Sequence, residues 1–270
     1  MNCNKKIEAI LTAYKNYIYY NHGKVYLKNF NDREKSNPGA AASEALVFNW
    51  LYGCTQNPKL NDNPSTGGLD FICSPTPDYQ YLVEVTSLDN EKFVYNTGCH
   101  MRPGQLMITR LPTSQLFNKV QKKAGQSKEI HLPIVLAITA MSVGSELILN
   151  KDRAVDILLS IPDIPNTAHY RADNFLKKSN FIKPDKDDPS KIVSCRQTIS
   201  AALIIPVEGA GLNIFGILHP DPINVFDVNY LTDIPFVRIK KWPIENDEIH
   251  TEWVNAESDD NFFAFTTHIK

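Results

Sequence analysis

The sequence predicts an α/β protein: a mixed central sheet flanked by helices, with a β-rich C-terminal extension. Three patterns carry that expectation. Apolar residues recur at helical spacing near the N-terminus and again over 113–129. A hairpin pattern, GGLDFICSPTPDYQYLVEVTSL, fills 67–88. The nearly continuous apolar run HLPIVLAITA, 131–140, reads as a strand buried on both faces of a sheet.

In chain order, Ile7, Ile10, Leu11, Tyr14, Tyr17 and Ile18 predict a helix over 5–20. Residues 29–39 are polar and end in Pro38-Gly39, which reads as a loop. AAASEALVFNWLYG, 40–53, is a second helix by its Ala and Leu content, capped by Ser43 or an earlier residue and ended by Gly53. Residues 55–68 are turn-rich, and two strands then surround PTPD. Residues 89–104 are irregular, and QLMITRL, 105–111, is a short strand. Thr113 or Ser114 can cap the helix over 113–129, whose apolar face is Leu116, Phe117, Val120 and Ala124. Another helix is expected over 152–161.

Beyond residue 162 the character changes. Residues 161–170 and 181–191 are rich in proline and charge and read as loops, with a short helix over 171–181. TISAALIIPV, GLNIFGIL and IPFVRIKKW read as strands, and a last strand is expected near the end. The division is thus 1–161 as an α/β core with its N-terminal helix, and 162–270 as an extension that continues the sheet or forms a small subdomain.

The chain is 43 % hydrophobic over 270 residues, enough to bury a sizeable core. No stretch approaches the length of a membrane helix, and residues 1–23 lack the apolar run and cleavage site of a signal peptide, so a cytoplasmic location is the expectation. Cys3, Cys54, Cys73, Cys99 and Cys195 are odd in number and widely spaced, which argues against a zinc site and for reduced thiols, the Cys99-His100 neighbours included. Net charge is −2, so a partner bearing phosphates must be met by a local basic patch.

The hairpin carries two acids in apolar runs, where strands disfavour them. The positions of Asp70 and Glu84 place them directly opposite each other in a hairpin centred on Pro77. Alternation puts Gly68, Asp70 and Ile72 on one face and Leu69, Phe71 and Cys73 on the other; Leu82, Glu84 and Thr86 share the acids' face. Opposed like charges are destabilising, and a divalent cation removes the cost. The plainer alternative is a solvated strand edge kept soluble by acids. On the helix over 113–129, Lys119, Lys122, Lys123 and Gln126 share a face opposite the apolar one. It is either a solvated face or the basic border of the acids.

Glu44 in a first helix, Asp70 in GGLDF, Glu84 in VEVTS, a helix bearing Lys and Gln, and then an apolar strand resemble the PD-(D/E)xK nuclease superfamily, over roughly residues 40–140. The resemblance implies a restriction-endonuclease-like core and a Mg²⁺-dependent endonuclease acting on DNA, of the restriction or defence type. It implies Asp70, Glu84 and the Val85 carbonyl as ligands of Mg²⁺, with Mn²⁺ as an alternative. Glu44 would hold a metal-bound water or a second ion. Pro77-Asp78 falls at the turn and is a decoy. The family's lysine position is Thr86, so Lys119 or Lys123 would supply the missing charge, with Lys122 and Gln126 among the DNA-contacting residues. The same departure fits an inactive nuclease-like module that binds nucleic acid or a protein. Cutting both strands of a duplex is compatible with a homodimer.

Three further features read more plainly. His219-Pro220-Asp221 lies in a loop, where a histidine usually packs. Gly209, Gly211 and Gly216 make no phosphate loop. Arg238, Lys240 and Lys241 either touch a nucleic-acid backbone or protect an edge strand.

Overall fold

The structure, a computed structural model, describes residues 3–61, 68–88, 131–140, 181–188, 191–206, 214–244, 248–255 and 266–268. It is a mixed α/β fold. Helix α1 runs Cys3–Ser36 but is broken at Gly23, whose φ of 81° lies in the left-handed region that glycine enters without a Cβ penalty. The break folds the helix back on itself. Lys15 and Glu34 are nineteen residues apart, ~28 Å along a straight helix. Their Nζ and Oε2 atoms are 2.6 Å apart. Tyr14 of the first arm and Phe30 of the second meet edge to face, with ring centroids 5.1 Å apart.

The second arm corrects the loop expected over 29–39, since helix continues to Ser36. Pro38-Gly39 opens a helix instead of marking a loop. Helix α2 is Pro38–Gly53, with Pro38 in the first turn, where its missing N–H costs nothing, and Asn37 as N-cap. The Asn37 side chain accepts from the Ala40 N–H at 3.2 Å. Ser43 is therefore an interior residue, fully buried.

Strand β1 is Lys59–Leu60, β2 Phe71–Thr76, β3 Tyr79–Leu88 and β4 Ile134–Ala140. A small hairpin of β5, Ile182–Pro184, and β6, Ile192–Ser194, stands in the stretch expected to be loop. Three-residue strands show no period to read, and the Asp185 side chain builds their turn by accepting from the Asp187 N–H at 2.8 Å. Then come β7, Ala201–Pro206; β8, Phe215–Leu218; a 3₁₀ turn, Val228–Leu231; β9, Phe236–Ile239; β10, Glu248–Val254; and β11, Thr266–His268.

Among the described residues nine strands form one mixed sheet in the order β1-β2-β3-β4-β7-β8-β9-β10-β11. β3, β4 and β7 are parallel neighbours at its centre. β4 is buried on both faces, as its unbroken apolar run requires. Val135 and Ala137 join the core under α1 and α2 with Tyr14, Phe30, Phe48, Phe71, Tyr81 and Val83. Leu136 and Ile138 join Phe181, Ala202, Ile204, Phe215 and Ile217 on the other face. At Gly216 a Cβ would collide with the Phe236 ring of the neighbouring strand, so this close approach needs glycine.

The strand 105–111, the helices over 113–129, 152–161 and 171–181, and Cys99-His100 lie outside the described residues. Among the described residues no helix is long and apolar enough to cross a membrane. Cys54, Cys73 and Cys195 carry free thiols.

Candidate functional site

The hairpin register is the first determinant of the site. Phe71 pairs with Val83, Ile72 with Leu82 and Cys73 with Tyr81, and the ladder slips by one residue before the Pro77-Asp78 turn. The last pair of the ladder is Phe71–Val83; Asp70 precedes β2 in the chain and Glu84 is the next residue on β3. The literal Pro77-Asp78 is exposed at the turn.

Asp70 itself lies in a bend just before β2. Its Oδ2 accepts from the Val85 N–H at 2.6 Å, so a side chain takes the place of a ladder carbonyl where the strand begins. Its own carbonyl accepts from the Asn61 N–H at 3.0 Å, which ties the short β1 to the same point. Because strand geometry starts only at Phe71, alternation does not extend back to Leu69. Leu69 packs with Leu82 and Ile134, and not beside Phe71 and Cys73 as expected.

Along β3, Tyr81, Val83 and Val85 meet the helices. Glu84 belongs to the other row, next to Leu136 in the parallel register with β4. It is 3 % exposed and Asp70 is 8 % exposed. Carboxylates this buried are costly unless cations or donors meet them. Thr86 is half-buried on the row of Glu84, and its carbonyl lies 3.4 Å from Thr139 Oγ1. Thr139 donates instead to Ser43 Oγ at 2.7 Å, pinning α2 to β4.

Glu44 stands at the junction of three helical segments. Its Oε1 accepts from the Tyr14 hydroxyl at 2.8 Å and from Arg33 Nη2 at 3.0 Å, one from each arm of α1. Burial, and next the charge of Asp70, push its carboxyl up to about 7, against the pull of Arg33 and of both hydrogen bonds. Burial also raises the Tyr14 phenol well above its ordinary value, followed by Glu44 and then Asp70. Asp70 is thus the link between the two acids: one oxygen bonds the peptide beside Glu84, and its field reaches Glu44. Glu84 itself belongs to the row facing away from the helices.

Among the described residues no group of three or more His, Cys, Asp or Glu gathers closely enough to hold a metal ion. The candidates Lys119, Lys122, Lys123 and Gln126 lie outside the described residues. Tyr14 and Arg33 were not foreseen. Tyr14 sits in the apolar stripe of α1, and nothing in that stripe reveals where its hydroxyl ends. Arg33 falls in the stretch that reads as loop.

The remaining candidates resolve into packing and surface roles. His219 is buried, its Nε2 at 2.8 Å from the Cys195 carbonyl, and its Nδ1 accepts from the Asp221 N–H at 3.0 Å. Those partners select the neutral Nε2–H tautomer, and burial above all lowers its pKa to about 4. Arg238 donates from Nε at 2.8 Å to Glu252, its cross-strand partner on β10.

In comparison with known proteins, no family model, no curated protein and no solved structure matches the chain.

Proposed function

We propose that the chain is a Mg²⁺-dependent nuclease built on a restriction-endonuclease-like core, hydrolysing phosphodiester bonds in DNA. The observation that carries this reading is the β2–β3 register. Its last pair is Phe71–Val83, and Asp70 and Glu84 are the next residues beyond that pair, both buried at the end of the central parallel strands, with the Asp70 carboxylate 2.6 Å from Val85 N. The donor set is all oxygen, which suits magnesium, and magnesium needs only one or two protein carboxylates beside its waters and a substrate phosphate. Asp70, Glu84 and the Val85 carbonyl would hold the ion. When bound, it polarises the phosphodiester and lowers the pKa of a water.

The protein's own residues have narrower tasks. Val85 N–H holds Asp70 by one oxygen and so orients the other. Leu82 and Leu136 flank Glu84 with apolar surface, which strengthens its electrostatics. The Thr86 hydroxyl can hydrogen-bond a water or a phosphate oxygen but carries no charge. That charge falls to Lys119 or Lys123 in this reading. Glu44, engaged by Tyr14 and Arg33, acts on the site through Asp70.

The test is cleavage of supercoiled and linear DNA with Mg²⁺ or Mn²⁺, lost in Asp70→Ala and Glu84→Ala. A second reading, an inactive nuclease-like module, is favoured by Thr86 at the position of the superfamily's lysine. It expects salt-sensitive DNA binding and no turnover. Neither cleavage nor binding would remove both.

A further inference from the structure

A row of rings crosses the helices and comes to the surface. Tyr52, near the end of α2, has its ring centroid 6.2 Å from that of Phe48, with the two planes 23° apart. Phe48 lies 4.3 Å from Tyr17 on the first arm of α1, and Tyr17 lies 5.7 Å from His22. Across the break at Gly23, His22 lies 5.3 Å from Tyr26 on the second arm. Phe48 is buried, but Tyr52 is 64 % exposed. Tyr20, one turn beyond Tyr17, is 80 % exposed and meets Tyr19 edge to face. A single exposed ring is ordinary. Two that flank one continuous row are a different pattern, and the charge around them is different too.

Residues 9–31 and 45–61 hold all of these rings, four lysines and no aspartate or glutamate. The whole chain is at −2, so the sign is reversed locally. Lys15 is engaged by Glu34, and Lys28 by Asp32. Lys24 and Lys59 are exposed and form no ion pair among the described residues. Lys24 opens the second arm just past Gly23. Lys59 follows Pro58, whose carbonyl accepts from the Tyr17 hydroxyl at 3.3 Å, so its backbone stands beside the row. Exposed rings bordered by cations and no acids suit a single strand, whose unpaired bases stack on rings while its phosphates meet lysines. A duplex offers its phosphates but keeps its bases stacked inside. A lipid surface also attracts lysines, but Tyr52 extends a near-parallel ring stack, which fits a flat base.

We propose that this row is a track for single-stranded nucleic acid, with bases stacked on Tyr20 and Tyr52 and phosphates held by Lys24 and Lys59. It goes beyond the nuclease reading and uses neither Asp70 nor Glu84, so either can fail alone.

The experiment measures fluorescence anisotropy of a short labelled oligo-dT strand in EDTA, without turnover, across a salt series. Oligo-rU and a DNA duplex of equal length run beside it, and tighter binding of either strand than of the duplex supports the track. Tyr20→Ala and Tyr52→Ala are each expected to weaken strand binding at least about fivefold, the loss of one stacked base. Tyr20→Phe and Tyr52→Phe keep the ring and are expected to bind like wild type. Lys24→Gln and Lys59→Gln should each lower the magnitude of the slope of log K against log salt by about 0.7. Lys191→Gln, in the β5–β6 hairpin, should leave affinity and slope unchanged. Folded alanine variants with wild-type affinity, or equal affinity for strand and duplex, overturn the proposal. So does wild-type protein that binds neither strand, whether or not it binds phosphatidylglycerol vesicles. Cleavage in Mg²⁺ then still tests the nuclease reading by itself. If the alanine variants do not fold, photocrosslinking of wild type to an iodouracil-bearing strand decides, read by peptide mass. Crosslinks at Tyr20 or Tyr52 support the track, and crosslinks confined elsewhere overturn it.

Discussion

Two buried ionisable groups, Glu44 and His219, are both driven toward their neutral forms, by different surroundings. His219 meets only backbone on its ring nitrogens, the Cys195 carbonyl and the Asp221 N–H. Those partners belong to the fold and fix one tautomer. Glu44 meets side chains from three helical segments and the field of a second acid, Asp70. The first arrangement closes a loop over the sheet. The second concentrates negative charge beside a strand end, a costly use of acids unless a ligand of opposite charge or a phosphate-bound cation is served there. The difference is that Glu44 is held by side chains and a neighbouring acid, Asp70, whereas His219 is held by the backbone of its own fold.

The largest expected effect separates the two regions by activity. Glu84→Gln keeps the shape of the side chain and removes a carboxylate, so on the proposed nuclease reading cleavage should fall on the order of 10³-fold. A folded Glu84→Gln protein cutting at the wild-type rate would break the comparison. His219→Ala should do the reverse. It removes the bonds that the ring makes to the Cys195 carbonyl and the Asp221 N–H, both in half-buried residues, at about 0.5–1.5 kcal/mol each, while on the nuclease reading cleavage by the folded fraction is kept. Urea unfolding with an activity assay on the same samples reads both.

The pH dependence sharpens the contrast, because the two groups have opposite signs. A histidine lowered to about 4 stabilises the fold fully above its ordinary 6.5, and that contribution is lost as pH falls toward 4. A carboxyl raised to about 7 stabilises the fold below its ordinary 4.5, and that contribution is lost as pH rises through 7. Between 4.5 and 6.5 the two slopes oppose. Glu44→Gln should leave stability rising with pH in that window, and His219→Gln should leave it falling, each by at most about 1.4 kcal/mol per pH unit. Denaturant midpoints at four pH values test this, and parallel curves for the two variants would refute the assignment.

Tyr14→Phe is a smaller probe. It keeps the ring that packs on Phe30 and Phe48 and removes one donor to Glu44, at about 1 kcal/mol. Without that donor the Glu44 carboxyl should titrate higher still, which a carboxyl-selective NMR titration would read. The smallest effect belongs to the exposed Arg238–Glu252 pair, where Arg238→Ala should cost under about 1 kcal/mol and less in high salt.

Legibility followed locality. The hairpin over 71–88, the second helix ending at Gly53, and β4 were written in short-range patterns of alternation, propensity and unbroken hydrophobicity. Register arithmetic recovered the pairing of Phe71 with Val83, because a tight turn fixes register in a hairpin. Leu69 was misplaced, because the sequence does not show that strand geometry stops at Asp70. The helix across 29–36 was missed because its polar residues line an exposed face, while Phe30 alone is fully buried.

By itself the sequence determined the pairing of Phe71 with Val83 next to the two acids, and the threonine two residues after Glu84, since both follow from residue identity and a local turn. Only the tertiary structure decided what Glu44 does. The reversal at Gly23 brings Tyr14 and Arg33, nineteen residues apart in the chain, onto one carboxylate oxygen of a third helical segment. Contacts between segments depend on how helices fold over the sheet, and no short-range pattern encodes that. The same packing is what carries Arg33 from a stretch that reads as loop to the edge of the acidic group.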